Sequence, residues 1–343
     1  MQVVVFHFGA GFSRRHHFPS PVQQLLDNGW VAVALFFILS GFILSYTYAD
    51  AISGGHNRAR FWIARFARVY PVYLLSLLLD LTFTEAPLRV KLAALAMVQS
   101  WNPLHPEWCG QWNMPTWTLS CEAFFYLVLP FLLPATVKLS DRFLQLFSAA
   151  LILLIMIGHT MTNWPAAWLF PNVVPLPIMR LPEFLLGTFT GTLFVRKRRL
   201  PFSAVTASLA LLAMIVIEVA LSGPWISLLV LPYIFLIFAL AQGSGIWARL
   251  LNTRLLLFLG AASYAVYLLQ MPVRHWTHFF LSQHSRIDGI DTFISPLILI
   301  ALSAIVYKYW EEPARVWIRK ISDSSKRSRL PIRIESLRSP EKT

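Results

Sequence analysis

The stretch RARFWIARFARVYPVY, residues 58–73, places four arginines at the start of a long apolar run. Arg65 and Arg68 are three residues apart, so on a helix their side chains lie on one face. The aromatic residues among the arginines are typical of the boundary between a membrane and water. Two interpretations follow. The arginines orient a spanning helix with this end in the cytoplasm, or their guanidinium groups hold phosphates at the mouth of a membrane cavity.

The composition is that of a membrane protein. Of the 343 residues, 57% are hydrophobic and only 13% are charged, whereas soluble proteins carry about 25% charged residues. We therefore predict an all-α, polytopic integral membrane protein. The net charge of +13 could indicate nucleic acid, but the basic residues lie between apolar runs rather than along one soluble face. We predict attraction to anionic membrane lipid and no nucleic-acid partner.

A helix needs about 20 residues to cross roughly 30 Å of hydrocarbon. Nine apolar stretches meet or approach this length: residues 30–48, 69–84, 119–136, 143–160, 178–195, 203–221, 225–241, 255–281 and 293–310. The apolar residues 1–12 reach only about 18 Å, and we count them as a tenth, partial span. Residues 88–101 are also short, and we predict a re-entrant or interfacial helix there.

The positions of basic residues support this count of about ten transmembrane helices. With residues 50–68 placed in the cytoplasm, the cytoplasmic segments, which include residues 136–142 and 196–199, carry 21 of the 29 Lys and Arg residues. The external segments carry seven, among them Arg15 and Arg274, and Lys308 lies within the last span. This bias predicts ten spans with both termini cytoplasmic. The chain then divides into one transmembrane domain, residues 1–321, and a basic, disordered cytoplasmic tail, residues 322–343.

Ionisable residues inside apolar stretches are costly, so each is a candidate site residue. His7 has apolar neighbours on both sides, and an imidazole there can act as a base near neutral pH; the alternative is a structural histidine bonded to a helix carbonyl. Glu122 lies just inside an apolar run, and its alternative role is a carboxylate favoured by a helix N-terminus. Arg180 and Glu183 are three residues apart and could simply pair with each other.

The sequence lacks the motifs that are typical of several classes of protein. The sequence has no Walker loop, dinucleotide-binding glycine pattern or GxSxG elbow, which argues against ATP-driven transport and against a serine hydrolase of that type. His16 and His17 are adjacent, but no carboxylate or cysteine stands at ligand spacing, so no metal is expected.

Taken together, the motifs resemble those of the acyltransferase family 3 membrane proteins, which O-acylate sugars of surface polysaccharides, lipopolysaccharide and related glycosides. The matching stretches follow the family's order over nearly the whole chain: VVVFHFGAGF, ALFFILSGFILSY, RFWIARFARVYPVYLLSL, PTWTLSCEAFFYLVLP, RLPEFLLG, LGAASYAVYLLQMPV and YKYWEEP. Any one of these motifs is weak evidence, whereas the ordered set is specific.

This resemblance implies a bacterial inner-membrane O-acyltransferase, usually an O-acetyltransferase. Such an enzyme takes an acyl group from cytoplasmic acyl-CoA and delivers it to a hydroxyl of a surface glycan or glycolipid. Arg65 and Arg68 would bind the CoA phosphates. His7 would be the general base or an acyl relay, and Glu122 would orient the histidine or bind the sugar.

The same resemblance assigns Trp117, Arg180 and Glu183 to substrate binding, because they lie in two of the matching motifs. The chain also departs from the family twice. The family has an arginine about three helical turns before the histidine, a position upstream of Met1, and this predicts an incomplete first helix. The family often has a histidine where Gln270 stands, and an amide cannot act as a base.

Two other classes of protein fit parts of the sequence. A secondary transporter or channel for an anionic solute would use the same arginines to line its pathway, although no internal repeat is evident. The other membrane O-acyltransferase superfamily also relies on a buried histidine, but the motif order does not suit it.

Overall fold

The structure, a computed structural model, describes residues 2–53, 58–161, 174–243, 245–284 and 290–324, and within these ranges it contains helices and no strand. The α-helices are α1 (Gln2–Arg15), α2 (Ser20–Asp27), α3 (Ala32–Ser53), α4 (Arg58–Asp80), α5 (Leu88–Leu95), α6 (Trp117–Lys138), α7 (Asp141–Met161), α8 (Leu176–Met179), α9 (Leu181–Val195), α10 (Ser203–Ala220), α11 (Val230–Ala241), α12 (Gly245–Leu251), α13 (Arg254–His284), α14 (Ile290–Val306) and α15 (Glu312–Ser324). The predicted all-α class is confirmed for the described residues. Most of the predicted tail, residues 325–343, lies outside them.

Six helical segments of the described chain are long and apolar enough to cross a membrane: Ser20–Ala49, Arg58–Phe83, Met114–Lys138, Ser203–Ala220, Arg254–Leu281 and Thr292–Ile321. A seventh is obtained if Trp225–Ala241 and Gly245–Leu251, bent by 80° from each other, form one broken span. These helices fit a membrane protein. The count of about ten spans stays a prediction.

Two of the predicted spans correspond to shorter helices. Around residues 178–195 the chain breaks at Arg180, between α8 and α9, and only the 15 residues of α9 are continuous. A proline at the second position of α9 suits a helix start, where its missing N–H costs nothing. The 14 residues of α1 reach about 21 Å, less than the hydrocarbon thickness.

Helices α3 and α9 pack in direct backbone contact. A Cβ atom added at Gly187 would overlap the carbonyl of Ile38, and one added at Gly41 would overlap the carbonyl of Phe184. Small residues allow membrane helices to approach this closely. The pair therefore forms a rigid support for the residues at the start of α9.

We expect Gly187→Ala to destabilise the protein by about 1–3 kcal/mol, because α3 and α9 must separate to admit the methyl group. The measurement is the midpoint of thermal unfolding in detergent. The matched control is Gly260→Ala in α13, where an added Cβ meets nothing within 4 Å. Equal midpoints for the two variants would contradict the close approach of α3 and α9.

Charged side chains join two segments that the charge count assigned to the same side of the membrane. Asp141, the first residue of α7, pairs with Arg196 and Arg198, which follow α9. Hydrogen bonds from Arg196 and Arg198 lower the pKa of the Asp141 carboxyl below its usual range, and the bond from Arg196 has the larger effect. The two segments therefore lie at one face of the helix bundle. Which side of the membrane this face occupies stays a prediction.

Candidate functional site

A cavity of about 170 Å³ brings three of the predicted site residues together: His7, Trp117 and Arg180. They come from the middle of α1, the start of α6 and the break before α9. The rest of the wall consists of Val3, Phe6, Trp30, Val33, Met114, Pro115 and Tyr267. The wall is mostly apolar and aromatic with a few polar groups, which is the usual character of a small-molecule site.

His7 presents its ring to this cavity from a turn of α1 that α13 holds in place. The backbone carbonyl of His7 accepts a 2.7 Å hydrogen bond from Nη1 of Arg274. The imidazole packs edge-on against Phe6, with 4.9 Å between the ring centroids. Among the described residues the ring has no hydrogen-bond partner, so they do not support a structural histidine bonded to a carbonyl. A ring nitrogen is available to a molecule in the cavity.

Tyr267 on α13 completes the wall beside Trp117, and the sequence analysis did not assign it to the site. Its hydroxyl oxygen lies 3.0 Å from Oγ1 of Thr118 and 3.2 Å from the carbonyl oxygen of Pro115. These two bonds tie α13 to the start of α6. A tyrosine within an apolar run usually has a polar partner when buried. This rule could have predicted from the sequence that the hydroxyl of Tyr267 contacts a polar group of another helix.

Arg180 and Glu183 form an ion pair with 3.0 Å between Nη1 and Oε1, and their side chains are only 8% and 3% exposed. The expected pairing is therefore present. Only Arg180 reaches the cavity with His7, and its guanidinium also lies over the ring of Phe37, 5.4 Å from the centroid. Glu183 thus holds Arg180 in position rather than lining the cavity itself.

Arg65 and Arg68 lie in the same continuous helix, α4, as the sequence pattern suggested. Nη2 of Arg65 donates to the hydroxyl of Tyr48 over 3.2 Å, and its buried Nε has no hydrogen-bond partner among the described residues. Arg68 forms an ion pair with Glu311 and lies over the ring of Tyr264, 5.3 Å from the centroid. Of the two, Arg65 is the one that forms no ion pair with a described carboxylate.

Glu122 lies with these arginines. Its Oε2 accepts a 2.7 Å hydrogen bond from the hydroxyl of Tyr126, and its carboxylate interacts electrostatically with Arg65 and Arg68. None of the contacts described for His7 involves Glu122. The structure thus places the Glu122 carboxylate with the arginine cluster, and its expected role, orienting the histidine or binding the sugar, stays a prediction.

The geometry of α6 explains this grouping. Trp117 and Glu122 are five residues apart, which separates them by about 7.5 Å along the helix and turns them about 140° from each other. One faces the His7 cavity and the other faces the arginines. On α13, Tyr267 and Tyr264 divide in the same way, since the first lines the cavity and the second contacts Arg68. The two groups of residues are thus neighbours along two shared helices.

Glu311, two residues before Pro313 at the end of an apolar run, also belongs to the arginine cluster. Its side chain is only 1% exposed and pairs with Arg68 across the bundle. A buried carboxylate almost always has a partner of opposite charge. An acidic residue at the end of an apolar run, in a chain with arginines at the start of another, was the signal available for this pair.

Comparison with known proteins matches most of the chain to one family. A family model described as an acyltransferase domain matches residues 1–307. The protein named acyltransferase MdmB, from Streptomyces mycarofaciens, is 30% identical over 274 residues, which cover 73% of this chain and 69% of that protein. The protein named O-acetyltransferase OatA, from Staphylococcus aureus, is 25% identical over 336 residues, which cover 85% of this chain and 53% of that protein. The chain thus spans about half the length of OatA, and no solved structure matches it.

Proposed function

Because the chain belongs to this acyltransferase family, we propose that it is a membrane O-acyltransferase that moves an acetyl group from acyl-CoA to a hydroxyl of a cell-surface glycan. The observation that carries the proposal is the placement of His7. Its ring faces a cavity with Trp117 and Arg180 and has no hydrogen-bond partner among the described residues. The relative whose name specifies transfer to oxygen is OatA.

The cavity would hold the acceptor sugar. Trp30, Trp117 and Tyr267 supply flat apolar surfaces for the faces of a sugar ring. Arg180, whose charge is balanced by Glu183, can donate hydrogen bonds to sugar hydroxyls without placing an uncompensated charge in the cavity. These groups orient one hydroxyl toward the imidazole of His7.

The reaction is the transfer of an acyl group from sulfur to oxygen. His7 takes the proton of the acceptor hydroxyl as the oxygen attacks the carbonyl carbon of the thioester. The tetrahedral intermediate then collapses with cleavage of the carbon–sulfur bond. The CoA thiolate leaves and takes up the proton from the imidazolium, so that an O-acyl ester and CoA are formed and His7 is regenerated.

The arginine cluster would bind the donor. Nε of Arg65 has no hydrogen-bond partner among the residues that the structure describes, and fork donors match phosphate oxygens. Glu122 and Glu311 offset part of the positive charge of this cluster, while Arg315 adds to it near Arg68. We place this cluster on the cytoplasmic side of the bacterial inner membrane, because acyl-CoA is cytoplasmic, and the acceptor cavity toward the outside.

Membranes that contain the full-length chain are expected to transfer radiolabel from acetyl-CoA to surface glycan, whereas membranes without it transfer none. The measurement is the label recovered in purified glycan and released by mild alkali, which cleaves esters. A transporter or channel would instead move an anionic solute across sealed vesicles. Solute uptake without any alkali-labile label in the glycan would contradict the proposed function.

A further inference from the structure

A second cavity lies on another face of α1. It has a volume of about 330 Å³ and is lined by residues of α1, α13 and α14. Its α1 side consists of Phe8, Gly11, Phe12 and Arg15, which recur at helical spacing and so share one face. This cavity is larger than the one beside His7 and lies within the usual volume range of small-molecule sites, roughly 300–1,000 Å³.

The polar side of this second cavity is basic. Arg15, Arg274, His275 and His278 line it, and no described acidic residue does. Arg15 is exposed and forms no ion pair with a described residue, unlike its neighbour Arg14, which pairs with Asp27 over 2.9 Å. Both Arg15 and Arg274 belong to segments that the charge count placed outside, together with the acceptor.

A buried carboxylate orients His275, one of the two histidines that line this cavity. Oδ1 of Asp80 lies 2.7 Å from Nδ1 of His275, and Oδ2 of Asp80 accepts a 3.1 Å hydrogen bond from the backbone N–H of Asn113. With Nδ1–H donated to Asp80, the other ring nitrogen of His275 is left for the cavity. A protonated His275 would donate from that nitrogen to an anion while keeping its bond to Asp80.

Arg274 links the two cavities. Its Nη1 donates to the carbonyl of His7, and its side chain lines the second cavity. An anion in the second cavity would thus bind the guanidinium that holds the turn of α1 carrying the proposed base. The side chains of Arg15 and His275 would complete its coordination.

We propose that the second cavity binds an anionic group, a carboxylate or a phosphate, of the acceptor glycan, and that the protein prefers acidic acceptors over neutral ones. This inference rests on the proposed function, because only an acyltransferase has an acceptor. Binding of the anion itself does not require acyl transfer. An anion held by Arg15, Arg274 and His275 would fix the acceptor beside His7.

The test is a binding measurement on the purified full-length protein in uncharged detergent without acyl-CoA. The probes are methyl glucuronide, glucose 1-phosphate and uncharged methyl glucoside, and the readout is the dissociation constant from the shift in thermal unfolding midpoint with probe concentration. We expect the anionic probes to bind at least about tenfold more tightly than the neutral one. A preference for glucuronide identifies a carboxylate, and a preference for glucose 1-phosphate identifies a phosphate.

Arg15→Gln and His275→Asn are each expected to weaken binding of the preferred anionic probe by about tenfold, the usual effect of losing a hydrogen bond to a charged group. The amide nitrogen of the shorter Asn side chain occupies the position of Nδ1 of His275, which lies 2.7 Å from Asp80, so His275→Asn removes the cavity-facing nitrogen while the buried carboxylate keeps a donor. The matched control is Arg14→Gln, which removes the same charge one residue earlier and outside the cavity, and should leave the dissociation constant unchanged.

Equal binding of neutral and anionic probes would overturn this inference, as would equal weakening by Arg14→Gln and Arg15→Gln, which would indicate a general effect of surface charge. The two proposals fail separately. Selective anion binding without any acyl transfer would contradict the proposed function only, and acyl transfer without anion preference would contradict the second cavity's role only.

Discussion

Replacing His7 by alanine is expected to lower the rate of acyl transfer by at least about 100-fold, because general-base catalysis contributes 10²–10⁴-fold. The protein should remain folded and inserted in the membrane. Among the described residues the His7 side chain has an edge contact with the Phe6 ring and no hydrogen bond, and the bond that holds this turn uses the backbone carbonyl of His7, which alanine retains. The measurement is alkali-labile label transferred from acetyl-CoA to glycan per amount of folded protein.

Two further variants separate the base from other roles of position 7. His7→Gln preserves polarity and approximate size without a basic nitrogen, so it should be as inactive as His7→Ala. His105→Ala is the histidine control, because His105 is an exposed loop residue whose ring pairs with Glu107, and it should transfer at the normal rate. Substantial transfer by His7→Gln would remove His7 from the role of base.

Arg68→Ala is expected to destabilise the protein by about 3 kcal/mol, because it leaves the buried carboxylate of Glu311 without its partner. Removing one member of a buried ion pair costs about 3–5 kcal/mol, and we take the lower end because the Arg68 side chain is 29% exposed. The midpoint of thermal unfolding in detergent measures this loss. The double variant Arg68→Ala with Glu311→Gln should recover a large part of it, since a neutral amide is cheaper to bury than an unpaired charge.

Arg65→Ala is the matched comparison on the same helix. Arg65 contacts the hydroxyl and ring of Tyr48 and has no described carboxylate in direct contact, so its loss should change stability little. If Arg65 binds the CoA phosphates, this variant should raise the apparent KM for acyl-CoA about tenfold, with the KM for acceptor unchanged. An effect on the acceptor alone would contradict the donor site. Equal unfolding midpoints for Arg65→Ala and Arg68→Ala would contradict the larger contribution to stability that we assign to the ion pair of Arg68 and Glu311.

The class of the fold was predictable because the signal for it is local. Long apolar runs separated by basic segments indicate membrane helices whatever their packing, and α6, α10 and α13 lie close to their predicted bounds. The region around Arg180 was less predictable. The break there reflects a proline near the start of α9 and close backbone packing against α3, and an average of hydrophobicity over a window detects neither.

The candidate site residues were chosen from the sequence, since an ionisable side chain in or beside an apolar run needs a reason to be there. His7, Arg65, Arg68, Glu122 and Arg180 were all proposed in this way. Their grouping was not accessible. Glu122 was expected to orient His7 or to bind the sugar, and the structure places it with the arginines, because positions five apart on α6 face different directions.

The sequence by itself thus determined the helical membrane class, the family and the residues able to carry chemistry, because composition, apolar run length and motif order are properties of the chain. Only the tertiary structure decided which of these residues lie close to one another. Arg274 contacts His7 across 267 positions, and His275 contacts Asp80 across 195. Such pairs depend on which helices pack against each other, and no spacing within one helix encodes that.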